Sequence, residues 1–195
     1  MKNILDISWE LFDGFIDVFA NNIKQKAKED DIEFYRIIGI PRGGSIVGAI
    51  LSHKLNIPYM EFSYWSRIPC ISEIFTRGYY TMPKEVFHVE FNDKKVLIVD
   101  DILHSGETLN GVLDGGIPGS FDFLPYLEEL INEERCRVAC LFKNTSVLTK
   151  PANDLLWLST NMVDENTWVQ FPWEQKMTED EMEKLLNKHN KAETV

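Results

Sequence analysis

Apolar positions recur at helical spacing near the start of the chain. Trp9, Phe12, Ile16, Phe19 and Ile23 lie three or four apart, so residues 8–29 are predicted to form an amphipathic helix. Ser8 stands where an N-cap belongs, and KAKEDD ends the pattern in solvent. YRIIGI (35–40) is a short apolar run with β-branched residues, a buried strand by its length. After PRGGS, IVGAILSHKL reads as a helix starting near Ser45, and NIPYMEF as another strand. Strand, turn, helix, strand is a βαβ unit, which implies a parallel sheet and a right-handed crossover. VLIVD (96–100), RVACLF (137–142) and DLLWLST (154–160) supply three further strands. One helix is expected from near Glu107 and another over LPYLEELINEE. The expected fold class is α/β.

Three stretches break the pattern. Residues 63–93 mix aromatics, two arginines and turn residues, and read as a long loop with a hairpin, TRGYY against EVFHVEF. Loops of this length in a compact domain are usually functional. DGGIPGSFDF (114–123) is glycine-rich but has neither GxGxxG nor GxxxxGK[ST], so it reads as a plain connection. From Thr178 a capping box, Thr178 with Glu181 three residues on, starts a charged surface helix. With no repeat and no linker, residues 1–195 are expected to form one domain, its core about 30–160.

Composition narrows the function. No run approaches the roughly 18 apolar residues of a membrane span. MKNILDISWE carries acidic residues where an export signal needs an apolar core, so a cytoplasmic protein is expected. A net charge of −11 argues against a general nucleic-acid surface, but leaves room for a local cationic pocket that takes a phosphorylated small molecule. The three cysteines, Cys70, Cys136 and Cys140, form no CxxC pair and fit reduced, mostly buried thiols. No His or Cys cluster completes a metal site around Cys136 and Cys140.

The chemistry concentrates in KKVLIVDDILHSGETLNG (94–111). A turn between a strand and a helix offers free backbone N–H groups and the positive end of a helix dipole, both suited to phosphate. Ser105 and Thr108 add hydroxyl donors there, and Gly106 lets the backbone come close. Asp100 and Asp101 stand just before it. Carboxylates accept hydrogen bonds from vicinal hydroxyls and attract Mg²⁺. Strand alternation aims one of the pair to each face, so both need not fill one site. A phosphate nest beside diol-binding acids describes a ribose 5-phosphate site. Taken alone, the DD pair is equally a turn and helix-start signal.

The apolar run, the DD pair, two residues and x-S-G-x-T together closely resemble the phosphoribosyl pyrophosphate (PRPP) signature of type I phosphoribosyltransferases. The resemblance extends from about Tyr35 to about Glu174 and is greatest to the enzymes for 6-oxopurines. It implies a Rossmann-like parallel sheet flanked by helices, a flexible catalytic loop, and a small hood drawn from the N-terminal and about 144–175 segments. It implies PRPP contacts from Ile102, Leu103, Ser105, Gly106, Glu107 and Thr108, with Asp100 and Asp101 as catalytic residues and Mg²⁺ ligands. GIPRGGSIVGAIL resembles the pyrophosphate loop of the purine members, which gives Arg42 and Gly43 that contact. Ser63 and Tyr64 resemble the Ser-Tyr pair of the mobile lid, and Arg67 and Arg77 are candidates to close on the pyrophosphate.

RVACLFKNT resembles the strand that ends in the purine-selecting lysine, here Lys143. A lysine at the purine 6-position donates to an oxo group and meets a clash of donors with an amino group. NTWVQFPWE resembles the hood segment, where Trp168 would stack on the base, Val169 would offer backbone groups, and Glu174 would reach a second Mg²⁺; Trp157 and Trp173 are expected to serve the core. One position departs. Many 6-oxopurine enzymes carry an aspartate, assigned as acid/base at purine N7, where this chain has His104. Histidine can do that work or merely position the loop.

The implied reaction transfers ribose 5-phosphate from PRPP to a purine nitrogen, with Mg²⁺, in a homodimer or homotetramer. A regulator of the same fold without turnover, and an enzyme for a non-purine acceptor, remain open on the sequence.

Overall fold

A five-stranded sheet organises the larger of two compact units, residues 14–165; the smaller unit combines residues 1–13 with 166–195. The computed structural model describes residues 3–40, 42–61, 91–104, 106, 129–145 and 156–176. In chain order the elements are β1 (Asn3–Asp6), α1 (Trp9–Glu29), β2 (Phe34–Gly39), α2 (Gly43–Leu55), β3 (Tyr59–Glu61), β4 (Lys95–Leu103), β5 (Cys136–Asn144), β6 (Leu156–Val163) and β7 (Thr167–Gln170). The sheet order is β3-β2-β4-β5-β6, and every neighbouring pair is parallel, as the βαβ pattern requires. The strands of such a sheet are covered on both faces and therefore read as unbroken apolar runs. Val96, Leu97, Ile98 and Val99 of β4 are all buried, as are Val138, Ala139, Cys140, Leu141 and Phe142 of β5.

Three strands outrun their apolar runs; β6, expected to stop at Thr160, continues to Val163. β4 was expected to stop at Asp100 but continues through Asp101 to Leu103. β5 was expected to stop at Phe142 but continues through Lys143 to Asn144. The ladder explains each: Asp100 pairs with Cys140, Ile102 with Phe142 and Leu103 with Lys143, while Asn144 pairs onward with Val163. A polar side chain ends a hydrophobic pattern, but it does not prevent its backbone from pairing.

The stripe predicted for α1 is present. Phe12, Ile16, Phe19 and Ile23 are buried, and Ser8 Oγ accepts the Leu11 N–H at 3.2 Å. Trp9 is the exception at 57% exposed; it lies in the first turn, edge-on to Phe12. α2 begins at Gly43, two residues before the predicted start at Ser45. It buries Gly44, Val47, Gly48 and Leu51 and ends at Asn56, whose left-handed backbone turns its N–H onto the Ser52 carbonyl. The glycines let α2 lie directly on the sheet. A Cβ on Gly44 would come within 2.5 Å of the Val99 carbonyl oxygen, and one on Gly48 within 2.7 Å of the Tyr59 ring.

The smaller unit contains two strands that the sequence pattern did not signal, β1 and β7. β1 pairs in parallel with β7, matching Ile4 to Trp168 and Leu5 to Val169. Trp173 stacks on Phe171 with ring centres 4.7 Å apart and meets the edge of Phe12 at 5.0 Å. Trp157, in the larger unit, is half-buried against Phe34 and donates its indole N–H to Asp30 at 2.6 Å. The loop and hairpin read at 63–93 lie outside the described residues as far as position 90. So do the helix from Glu107, the connection 114–123 and the helix from Thr178. The described part of LPYLEELINEE, 129–134, is helical over 129–132 and ends in a turn. Among the described residues no helix is long and apolar enough to cross a membrane.

Two glycines give opposite expectations. Gly44→Ala forces a methyl group against backbone atoms that cannot yield, and should destabilise the fold by about 1–3 kcal/mol. Gly14→Ala, within α1 and with nothing within 4 Å of the new methyl, should stabilise it by up to about 1 kcal/mol. Thermal unfolding of the two variants checks both signs.

Candidate functional site

The carboxyl ends of β2 and β4 meet at the start of α2. The Ile40 N–H donates to the Val99 carbonyl at 3.0 Å, so the chain leaving β2 is tied to β4 one residue before the acidic pair. Arg42 is then the exposed N-cap residue of α2, and its side chain makes no cap hydrogen bond. Gly43 and Gly44 form the first turn of the helix, pressed against the two acids. A Cβ on Gly43 would overlap the Asp101 carboxylate, and one on Gly44 would lie 2.9 Å from Asp100 Oδ1. The PRGG and DD motifs, about sixty positions apart in the chain, therefore form one structure.

Alternation sends the acids to opposite faces, as expected, but does not separate them. Asp101 lies on the α2 side, while Asp100 lines a small cavity with Ile40, Leu103, Val138, Cys140 and Leu156. Asp100 Oδ1 nevertheless reaches back to accept the Asp101 N–H at 3.0 Å, and the Gly44 N–H also donates to this carboxyl. Asp101 Oδ1 accepts the Ile102 N–H at 2.8 Å. Burial first, and the neighbouring Asp101 charge second, raise the Asp100 carboxyl well above its ordinary pKa; the two N–H donors only partly offset this. Asp100 is thus the member held toward its neutral form.

Mg²⁺ fits this donor set in one way. Among the described residues no group of three or more His, Cys, Asp or Glu gathers to hold a metal. An ion that takes one or two carboxylates, and completes its octahedron with substrate phosphate oxygens and water, does not need such a group.

Beyond the acids, Ile102 and Leu103 belong to β4 rather than to the turn. The Ile102 N–H goes to Asp101, and the Leu103 side chain is buried in the core. The turn begins at His104, whose Nδ1 lies 3.0 Å from Asn144 Nδ2. Gly106 follows with φ 83°, a left-handed backbone that glycine adopts without strain. Lys143 is half-buried in β5, opposite Leu103. Ser105, Glu107 and Thr108 lie outside the described residues, as do Ser63, Tyr64, Arg67 and Arg77.

Trp168 and Val169 belong to the smaller unit, on β7, with Trp168 half-buried and Val169 buried. Glu174 closes a turn there: its carboxylate accepts the Phe171 N–H at 3.0 Å and its own N–H donates to the Phe171 carbonyl at 3.1 Å. Cys136 and Cys140 are buried free thiols, each pushed up to about 12 by burial, and so stay protonated. Sequence reasoning missed Asn144. Its signal was a polar residue after a strand, which looks the same whether the strand has ended or not.

The acidic pair has a pH signature. A carboxyl whose folded pKa is raised binds more protons when folded. Its contribution is fully present below the unfolded value, near 3.8, and is lost as pH rises toward the folded value. Asp100→Asn removes that loss. The variant should melt above the parent at pH 7, with the gap closing as pH falls toward 4. Melting curves across that range check it, and a gap that widens in acid contradicts it.

The description "Phosphoribosyl transferase domain" belongs to the family model that matches residues 10–117, a span holding both PRGG and the DD turn. The chain is 30% identical over 136 residues to the adenine phosphoribosyltransferase of Pseudoalteromonas translucida (strain TAC 125), spanning 65% of this chain and 71% of that protein. It is 27% identical over 124 residues to the adenine phosphoribosyltransferase of Chlorobium luteolum, spanning 59% and 70%. Among solved structures, the purine phosphoribosyltransferase from Pyrococcus horikoshii Ot3 aligns with a TM-score of 0.56 at 23% identity, covering 90% of this chain and 97% of that one. At that identity the likeness concerns the fold, and it agrees with the parallel sheet described above. Matched over more than half its length, with its acidic pair locked to the glycine turn that the same match includes, this chain belongs to the phosphoribosyltransferase domain family and is an enzyme of that class.

Proposed function

We propose that this enzyme transfers ribose 5-phosphate from PRPP to a 6-oxopurine base (hypoxanthine, guanine or xanthine), releasing pyrophosphate. One observation carries the reading: the acidic end of β4 is joined to the first turn of α2 at the carboxyl ends of parallel strands, where α/β sheets take their ligands, and Lys143 stands opposite Leu103 on the adjoining strand.

In this reading the sugar passes through a cation-like state at C1, as in glycosyl transfer generally. Asp100 and Asp101 accept the ribose diol, and Asp100, raised by burial, also ties down the Asp101 and Gly44 amides. Arg42 and the Gly43 amide face the pyrophosphate, and Ser63, Tyr64, Arg67 and Arg77 close over it to exclude water, because hydrolysis is the competing reaction. Gly106 with Ser105, Glu107 and Thr108 cradles the 5-phosphate. Asp100 and Asp101 would hold Mg²⁺, which would supply charge neutralisation at the leaving pyrophosphate. His104 meets the base at N7, Lys143 donates to its 6-oxo group, and the hood segment supplies Trp168 to stack on the base and the Val169 backbone to its edge. Glu174 is the candidate for a second Mg²⁺. The working form is a cytoplasmic homodimer or homotetramer.

Adenine is the second reading. It is favoured by the adenine phosphoribosyltransferases among the relatives. The family model itself names no base, and its match ends at residue 117, before Lys143 and Trp168. A lysine ammonium against a 6-amino group sets donor against donor, and a site built this way discriminates strongly.

A panel of labelled bases with PRPP and Mg²⁺ tests the reading. Product is expected with at least one 6-oxopurine, and far less with adenine. Lys143→Ala should lower the preference for hypoxanthine over adenine about tenfold, the effect of one hydrogen bond to a charged group, and leave PRPP binding nearly unchanged. Product from adenine alone, or from orotate or uracil alone, overturns the 6-oxopurine reading.

A further inference from the structure

We propose that Asn144 is a positioning residue that sets the proton of His104 on Nε2, so that the imidazole presents a hydrogen-bond donor to the purine. The proposal rests on the reading above, in which His104 meets the base.

The placement follows from strand register. The β4–β5 ladder runs on to Leu103 opposite Lys143, and one step further puts His104 beside Asn144. The side-chain amide nitrogen and Nδ1 are 3.0 Å apart. Asn144 has little freedom to be elsewhere. Its backbone pairs with Val163 of β6, the next residue's N–H donates to the Val163 carbonyl at 2.8 Å, and the side chain is only 2% exposed. A buried amide is costly unless it is hydrogen-bonded, so a buried asparagine held by a strand is a fixed donor.

Imidazole chemistry supplies the consequence. An amide N–H₂ can only donate, so Nδ1 accepts, and an accepting Nδ1 in the neutral ring leaves the proton on Nε2. A donor at Nε2 complements N7 of the nucleotide, where N9 carries the sugar and N7 has only a lone pair. An aspartate at this position, as in the enzymes that this chain resembles, presents a donor to N7 only when protonated, whereas a histidine whose Nδ1 is held by an asparagine presents one while neutral.

The test uses the full chain labelled with ¹⁵N at its four histidines, with the His104 signal identified by its loss in His104→Gln. The nitrogen shifts of neutral His104 should report the Nε2–H tautomer. Asn144→Leu should give a mixture of tautomers. Asn144→Asp, which keeps the size and replaces the donor by an acceptor, should move the proton to Nδ1. A parent protein with its proton on Nδ1, or an Asn144→Leu variant with an unchanged tautomer, overturns the proposal; should the leucine variant fail to fold, the aspartate variant decides. Binding supplies the second readout. Asn144→Leu should weaken affinity for the nucleoside monophosphate about tenfold and leave that for PRPP unchanged. If His104→Ala leaves nucleotide affinity intact while the tautomer shifts occur as stated, the placement of His104 at the base fails and the hold of Asn144 on its proton stands.

Discussion

The contact between the glycine turn of α2 and the acidic end of β4 is the constraint on which the site depends. A helix can start this close to a strand only where it has no side chains in the way, and Gly43 and Gly44 provide that gap. The carboxyls of Asp100 and Asp101 fill the space that two methyl groups would occupy. One contact thus fixes three things: the angle at which α2 leaves the sheet, the position of Arg42 at its start, and the orientation of the acids. Loss of the gap would move the helix start, and Arg42 with it.

The same contact explains why two adjacent acids are tolerated in a strand. Like charges side by side repel, and burial adds to the cost. The cost is offset because the backbone amides of Asp101, Ile102 and Gly44 all donate to the pair, and because Asp100 is held toward its neutral form. The two residues then have different properties under one sequence letter. Asp100 is held toward its neutral form and accepts the Asp101 N–H, while Asp101 lies against the glycine turn of α2.

The next strand ends in two polar residues. β5 delivers Lys143 and Asn144 in consecutive positions, and consecutive strand residues point to opposite faces. A single strand end can therefore place a cation for one purpose and an amide for another without the two competing. His104, at the first position after β4, receives the amide because the two strands run in parallel and stay in register to their ends.

The chain's own pattern determined a good deal. The period of three and four marked α1, the short β-branched runs marked the strands, and their alternation with helices implied the parallel sheet. The DD pair with Ser105, Gly106 and Thr108 could be read as diol and phosphate chemistry from its residue types, whereas PRGG acquired its pyrophosphate role only through the family resemblance. Hydrophobic periodicity is local, so it survives without knowledge of the fold. What it could not supply was anything that depends on pairing. The ends of β4, β5 and β6, the existence of β1 and β7, the early start of α2, the inequality of Asp100 and Asp101 and the partner of His104 were decided by the tertiary structure. A backbone hydrogen bond across a ladder, a carboxyl's distance from water and a side chain's neighbour on another strand are properties of residues far apart in the chain, and no window along it contains them.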